Sequence, residues 1–236
     1  MNKLEEFKQG VKDGIPIGLG YFPVAFTFGM LVVSQGLTAF DAFVICITNL
    51  TSAGQFAGLT IISSFGTYLE MILSQLVINS RYFLMSFSLS QKLDNKQPFW
   101  YRYFVAYGVT DEIYALSISK AGKLSAFYNL GAMAVAIPGW SLGGLFGGLL
   151  GNILPTYLMS ALSVSIYGMF IAIFVGPSKH NRNVLFVVIA SMALSLAFTY
   201  LPLLNRVSSG FVIIIVTVVV SLLAAKFAPI KESDNA

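Results

Sequence analysis

Apolar stretches of about 20 residues, the length an α-helix needs to cross a bilayer, recur almost end to end in this chain. They include Ile15–Val33, Leu69–Leu89, Leu130–Leu150, Leu154–Val175, Val184–Leu204 and Phe211–Ala228. Only 10% of the 236 residues are Asp, Glu, Lys or Arg, against about 25% in soluble domains, so a water-soluble fold would lack polar side chains for its surface. The fold class expected is all-α, a polytopic transmembrane helical bundle, with residues 1–236 forming one transmembrane permease domain.

The same composition excludes several functions. Cys46 is the only cysteine and His180 the only histidine, placed in the loop GPSKHNRN, which leaves no disulfide framework and no metal cluster. A net charge of +4 spread thinly over loops offers no nucleic-acid patch, and no phosphate-cradling glycine loop or HExxH motif is present. No enzyme activity, cofactor or metal is expected. The N-terminal MNKLEEFKQGVKDG mixes bases with acids and predicts no cleaved signal peptide.

The spans are expected at 15–35, 41–62, 67–90, 99–118, 127–149, 153–175, 184–203 and 208–227, about eight segments with short loops. A cytoplasmic N-terminus puts Lys3, Lys8, Lys12, Lys120, Lys123, Lys179, Arg182, Lys226 and Lys231 inside, and Lys92, Lys96, Arg102 and Arg206 outside. That is the sign of the positive-inside rule. Trp100, Tyr101 and Tyr103 fit an interfacial belt near the outer end of the fourth span. Asp41 and Glu70, close to span ends, read as boundary residues reaching for the interface.

Some of these segments look discontinuous. The stretch FVICITNLTSAGQFAGL carries Asn49, Thr51, Ser52, Gly54 and Gln55 near the middle of 41–62, so it either spans with a break or re-enters. Irregular backbone at membrane depth survives only where protein or a watery cavity satisfies it. GLGYFPVAFTFG, with Gly20 and Pro23, and IPGWSLGGLFGGLLGNILP, with Pro138, combine proline, an aromatic residue and glycines in both halves. Helix breaks are therefore expected at Gly20, Pro23, Gly54 and Pro138. An internal inverted repeat is one reading of the pair; small-residue packing through Gly139, Gly143, Gly147 and Gly151 is the other.

The candidate site lies among charges inside the membrane. Arg81 falls near the middle of 67–90 and Asp111 near the middle of 99–118, and a lone charge at the bilayer centre costs roughly 2.5–3.5 kcal/mol on insertion scales. Helical spacing puts Glu70, Ser74, Arg81 and Ser88 on one face, with Gln75, Asn79 and Ser86 on a second polar stripe. In the next span Tyr107, Asp111 and Tyr114 share a face, with Glu112 about 100° away. One acid can neutralise Arg81 while the other stays available. An Arg81–Asp111 or Arg81–Glu112 bridge that fixes two helices is one reading; a substrate carboxylate on Arg81 with an acid relaying protons is the other. Ser52 and Gln55 either hold a zwitterion at a helix break or hydrogen-bond neighbouring helices.

GYFPVAFTFG, SAGQFAGL (Ser52–Leu59), NSRYFLMS (Asn79–Ser86) and TDEIYALS (Thr110–Ser117) together resemble the azaleucine-resistance (AzlC-like) family, the large subunit of branched-chain amino-acid exporters, over nearly the whole chain. The resemblance implies a plasma or inner-membrane permease that exports branched-chain amino acids or analogues. It also implies a small hydrophobic membrane subunit as partner. From their own chemistry and spacing, the candidate residues for substrate binding or coupling are Arg81, Asp111, Glu112, Asn79, Gln55, Ser52 and Tyr107, with alternating access as the working mechanism and proton antiport as a hypothesis motivated by the acids. An amino-acid channel or a non-transporting assembly subunit are the alternatives.

Overall fold

The computed structural model describes residues 2–94, 97–151, 153–155, 157–158, 161–162, 164, 168, 171, 175, 178–179, 181–202 and 204–227. All regular secondary structure among them is helical apart from an isolated bridge between Leu93 and Leu124. Most of the expected span 153–175, His180, Lys96 and Lys231 lie outside the described residues. The chain divides into two compact units, Met1–Phe56 with Asn79–Ile166, and Ala57–Ile78 with Tyr167–Ala236.

The first unit is built on two long helices, α1 (Lys3–Ser34) and α8 (Ala126–Leu150). α1 starts well before the expected position 15 because KLEEFKQGVKDG is itself good helix, with the Glu5 carboxylate accepting from the Asn2 N–H at 3.0 Å. The expected breaks at Gly20, Pro23 and Pro138 are absent: α1 runs unbroken through Pro16 and Pro23, and α8 through Pro138. A proline removes one helical hydrogen bond, and membrane helices absorb that loss. Gly20 has open space beside it, so it neither packs nor bends the helix.

The other glycines bring the two helices together. A β-carbon on Gly139 would lie 2.6 Å from the Gly18 carbonyl oxygen and one on Gly143 2.6 Å from that of Phe22. Gly131 meets Phe7 and Gly147 meets Phe26 in the same way. The pairing order rises along both chains, so α1 and α8 run parallel in a backbone-close contact of the small-residue kind. Parallel packing is not the relation that an inverted pair of these two segments requires.

Three expected spans are interrupted. Residues 41–62 become α2 (Ala39–Thr48) and α3 (Ala53–Ser63); 67–90 becomes α4 (Tyr68–Asn79) and α5 (Arg81–Lys92); 99–118 becomes α6 (Tyr101–Tyr107) and α7 (Asp111–Ile118). The first break lies at Asn49–Ser52, where Ser52 adopts φ +48°. Gly54 therefore sits in the first turn of α3 and not at the break. The second is a single residue, Ser80, which keeps right-handed helical angles. The third covers Gly108–Thr110, after which extended Thr110 caps α7 by accepting from the Ile113 N–H at 3.3 Å. Tyr107 and Asp111 thus belong to different helices, and the shared face expected of them does not form.

The directions of these pieces follow from their pairings. Along α5 and α7, Arg81 pairs with Asp111, Ser88 with Tyr114 and Lys92 with the Ile118 carbonyl, so the two helices are parallel. α6 starts where Arg102 donates to the Ser90 carbonyl at 2.9 Å and ends at the Arg81 level, so it runs opposite to α5. Residues 101–118 consequently form a hairpin that returns to the end it left. Lys92 also donates to the Lys120 carbonyl, and Lys123 donates to that of Gln91 at 3.1 Å. Lys92 and Arg102 therefore share an end with Lys120 and Lys123, which corrects their assignment to opposite sides. Asp13 pairs with Lys120 at 3.2 Å, which adds the start of α1 to this end. The Trp100–Tyr101–Tyr103 group belongs to it too, with Trp100 stacked on Tyr101 at 4.0 Å.

α2 approaches from the other end. Gly148 of α8 faces Ala39 and Gly144 faces Cys46, so α2 runs antiparallel to α8. Asp41 caps α2 by accepting from the Thr38 N–H at 2.8 Å.

In the second unit α9 (Arg182–Tyr200) and α10 (Ser209–Phe227) pack through Phe198, Val216 and Val220, with Leu194 and Val212 beside them. Both fall close to the expected spans. Glu70, expected to reach for the interface, is instead 3% exposed and accepts from Ser208 Oγ at 2.5 Å and the Gly210 N–H at 3.1 Å. Its carboxylate meets the amide end of α10, where a negative charge is favoured.

Candidate functional site

The interrupted helices of the first unit place their polar ends together. Arg81 is the first residue of α5 and Asp111 the first of α7, and their side chains pair at 2.8 Å. Arginine at a helix N-terminus faces the positive end of the helix dipole, so this position calls for an anion, and Asp111 supplies it. The bridge is not sealed, since its side chains are 37% and 34% exposed. Arg81 Nε is buried with no hydrogen-bond partner among the described residues, so the guanidinium keeps donor capacity beyond its bond to Asp111. Its face lies over the Tyr82 ring, 5.3 Å from the centroid.

Glu112 turns the other way. Its carboxylate accepts from the Tyr21 hydroxyl of α1, whose oxygen lies 2.8 Å from Thr110 Oγ1. The two neighbouring acids are divided between a cation and a phenol.

A second chain of contacts runs from Tyr21 to the break after α2. The Tyr21 ring meets Trp140 edge-on at 5.4 Å, and Trp140 Nε1 donates to Gln55 Oε1 at 2.9 Å. The same oxygen accepts from the Ser52 N–H at 3.2 Å, while Gln55 Nε2 lies 3.6 Å from Cys46 Sγ. Gln55 is 2% exposed and ties α2, α3 and α8 across the unwound stretch. Tyr107, at the end of α6, donates to the Ile47 carbonyl at the end of α2.

The structure therefore brings Arg81, Asp111, Glu112, Tyr107, Gln55 and Ser52 into one connected region, with Asn79 ending α4 two residues before Arg81. Gly20, Pro23 and Pro138 are helix-interior positions outside this network. Tyr21, Thr110 and Trp140 belong to the network and were not singled out from the sequence. Thr110 carried a readable signal: a threonine followed by two acids after a glycine is a helix start. Tyr21 and Trp140 carried none, since an aromatic beside proline and glycine reads equally well as packing. No group of three or more His, Cys, Asp or Glu that could hold a metal exists among the described residues.

Long apolar helices joined to short broken ones, with ionic side chains where the breaks meet, define a multi-pass α-helical membrane protein with a polar interior. The chain belongs to the AzlC family of membrane transporters: the family model described as AzlC protein matches residues 16–154, which hold every member of the network. An uncharacterized membrane protein of Archaeoglobus fulgidus is 31% identical over 214 residues, 90% of this chain and 92% of the relative. An uncharacterized membrane protein of Helicobacter pylori is 26% identical over 183 residues, covering 76% and 79%. Inner membrane protein YgaZ of Escherichia coli is 25% identical over 141 residues, covering 57% and 56%. No solved structure matches the chain significantly.

Proposed function

We propose that this transporter exports branched-chain amino acids, leucine, isoleucine, valine or analogues, across the cytoplasmic membrane by alternating access, with both units acting as one permease. The observation that carries the reading is the Arg81–Asp111 bridge, held at two helix starts, partly open, with the guanidinium Nε–H unused. A substrate carboxylate can take Asp111's place on Arg81, where the α5 amide end also favours an anion. The freed Asp111 then meets the substrate ammonium or a proton. Glu112, held by the neutral hydroxyl of Tyr21, is the second acid available for proton antiport. A small hydrophobic subunit is the expected partner, on the family resemblance.

We assign the N-terminus to the cytoplasm. Within the first unit, Lys3, Lys8, Lys12, Lys92, Arg102, Lys120 and Lys123 lie at the end where α1 begins, and no described Lys or Arg of that unit lies at the end where α1 stops. This distribution supports the positive-inside assignment. Because α1 and α8 run parallel and 101–118 returns to its own end, the chain between Ser34 and Lys92 makes one net crossing. That favours 41–62 as a re-entrant segment.

Counterflow of labelled leucine in liposomes, with and without the small subunit, tests the proposal. Saturable exchange that Arg81→Gln abolishes is the expected result. Flux that never saturates would favour a channel, and absence of flux from the complete complex would favour an assembly role.

A further inference from the structure

We infer that the α6–α7 hairpin and the inner end of α2 are two halves of a gate over Arg81, entering from opposite faces of the membrane. The Tyr107 hydroxyl on the Ile47 carbonyl is the seam between them. This rests on the transport reading and assigns Tyr107 as a positioning residue, not a substrate ligand.

The hairpin is anchored unequally. At its base, Asp94 N–H donates to the Leu124 carbonyl and Leu124 N–H to that of Lys92, both at 2.9 Å. Gln97 adds a bond to Ser125 Oγ at 3.0 Å and accepts from the Ala126 N–H at 2.8 Å, and Lys92 holds the carbonyls that close α7. None of these contacts involves the residues at the break. At the tip, residues 107–112, the polar contacts are a different set, Tyr107 to Ile47, Asp111 to Arg81 and Glu112 to Tyr21, while Val109 packs in the same apolar cluster as Leu89, Val105 and Leu124. A ligand that competes for Arg81 exchanges polar contacts of the tip and leaves those of the base in place, which is the arrangement of a hinged flap.

The opposing half is α2, which runs inward from the far end of α8 and stops at Thr48. Its last carbonyls have no helical donor of their own, and the one on Ile47 is satisfied by Tyr107. Breaking that contact frees a carbonyl and a hydroxyl at mid-depth, groups that require water or a polar ligand in exchange. The seam therefore closes in the empty state and opens when a polar ligand or water column replaces it. Both sides of the seam also adjoin the ionic tip, so one contact reports on the whole closure.

The test uses the full chain in liposomes with Cys46→Ser and a reporter cysteine, Asn49→Cys, in the unwound stretch beyond Ile47. Its rate of modification by a membrane-impermeant methanethiosulfonate is compared with Tyr107 and with Tyr107→Phe, which removes only the hydroxyl. The expected result is an increase of about fivefold to tenfold, the population shift that one net hydrogen bond is worth. For leucine counterflow, the maximal rate changes while KM stays the same. An unchanged modification rate overturns the seam. The modification readout works without leucine, so a failed leucine assay alone counts against the transport reading and not against the gate.

Discussion

In the first unit the helices that contain prolines are the unbroken ones. α1 carries Pro16 and Pro23 and α8 carries Pro138, yet both run through. The segments 39–63, 68–92 and 101–118 contain no proline and are all interrupted. A single missing donor leaves one carbonyl unsatisfied, whereas an unwound stretch leaves several groups on each side. The chain unwinds where side chains can meet that larger demand: Gln55 for the Ser52 N–H, Thr110 for the Ile113 N–H, Tyr107 for the Ile47 carbonyl. Along the α1–α8 seam such groups are replaced by glycine, and backbone contact takes over. One region is closed by shape and the other by exchangeable polar contacts, which separates a scaffold from a site.

The largest expected effect lies in the scaffold. Gly143→Val drives a β-carbon to 2.6 Å from the Phe22 carbonyl oxygen, and backbone on both sides leaves little room to yield. Overpacking costs about 1–3 kcal/mol, sometimes more, so most of the monodisperse protein should disappear in size-exclusion chromatography of detergent extracts. Wild-type yield and melting temperature for this variant would mean that the seam is looser than its geometry indicates.

Arg81→Gln should do the reverse, sparing the fold and removing the function. The bridge is about one-third exposed, so losing it does not strand a sealed charge of the kind that costs 3–5 kcal/mol. We predict near-normal membrane abundance with leucine counterflow reduced at least tenfold, about 1.4 kcal/mol or more of lost stabilisation. Equal flux in the variant would move the ionic pair into the scaffold class.

This contrast also explains how far the sequence could be read. Long apolar runs announced α1, α8, α9 and α10, because hydrophobic length is a local property. Arg81 and Asp111 were legible for the same reason: charges are conspicuous in apolar surroundings. The break after Asn49 showed in its cluster of polar residues. The break at Ser80 did not, because Ser80 keeps helical angles, and the one at Gly108–Thr110 was marked only by the local helix start at Thr110. Proline and glycine misled at Gly20, Pro23 and Pro138, where rules for isolated helices predict a break that tertiary packing overrides. The sidedness of Lys92 and Arg102 was misread because a hairpin that turns back and a helix that crosses have the same length and composition here.

A smaller effect is expected at Gln55, where site and scaffold touch. Gln55→Leu leaves the Trp140 indole N–H and the Ser52 N–H without their shared acceptor, a cost of about 1–3 kcal/mol for a buried donor. A melting temperature lowered by several degrees, restored in part by Gln55→Glu, would fit a brace. Unchanged stability with lost flux would assign Gln55 to the substrate instead.

The smallest effect should follow Pro23→Ala, and it bears most directly on why the prolines leave their helices intact. The alanine gains an N–H for the carbonyl one turn earlier, and α1 already has the geometry to accept that bond, so stability should change by about 1 kcal/mol or less. Thr27 Oγ1 already donates to the Pro23 carbonyl at 3.0 Å and to that of Leu162 at 2.9 Å, contacts that do not depend on the ring. Leucine exchange within twofold of wild type would place Pro23 wholly in the scaffold. If exchange stops while the melting temperature holds, α1 must bend at Pro23 in a state other than this one. The distinction between shape-closed and contact-closed regions would then hold for one conformation only, with Tyr21, two residues away, carrying the bend to Glu112.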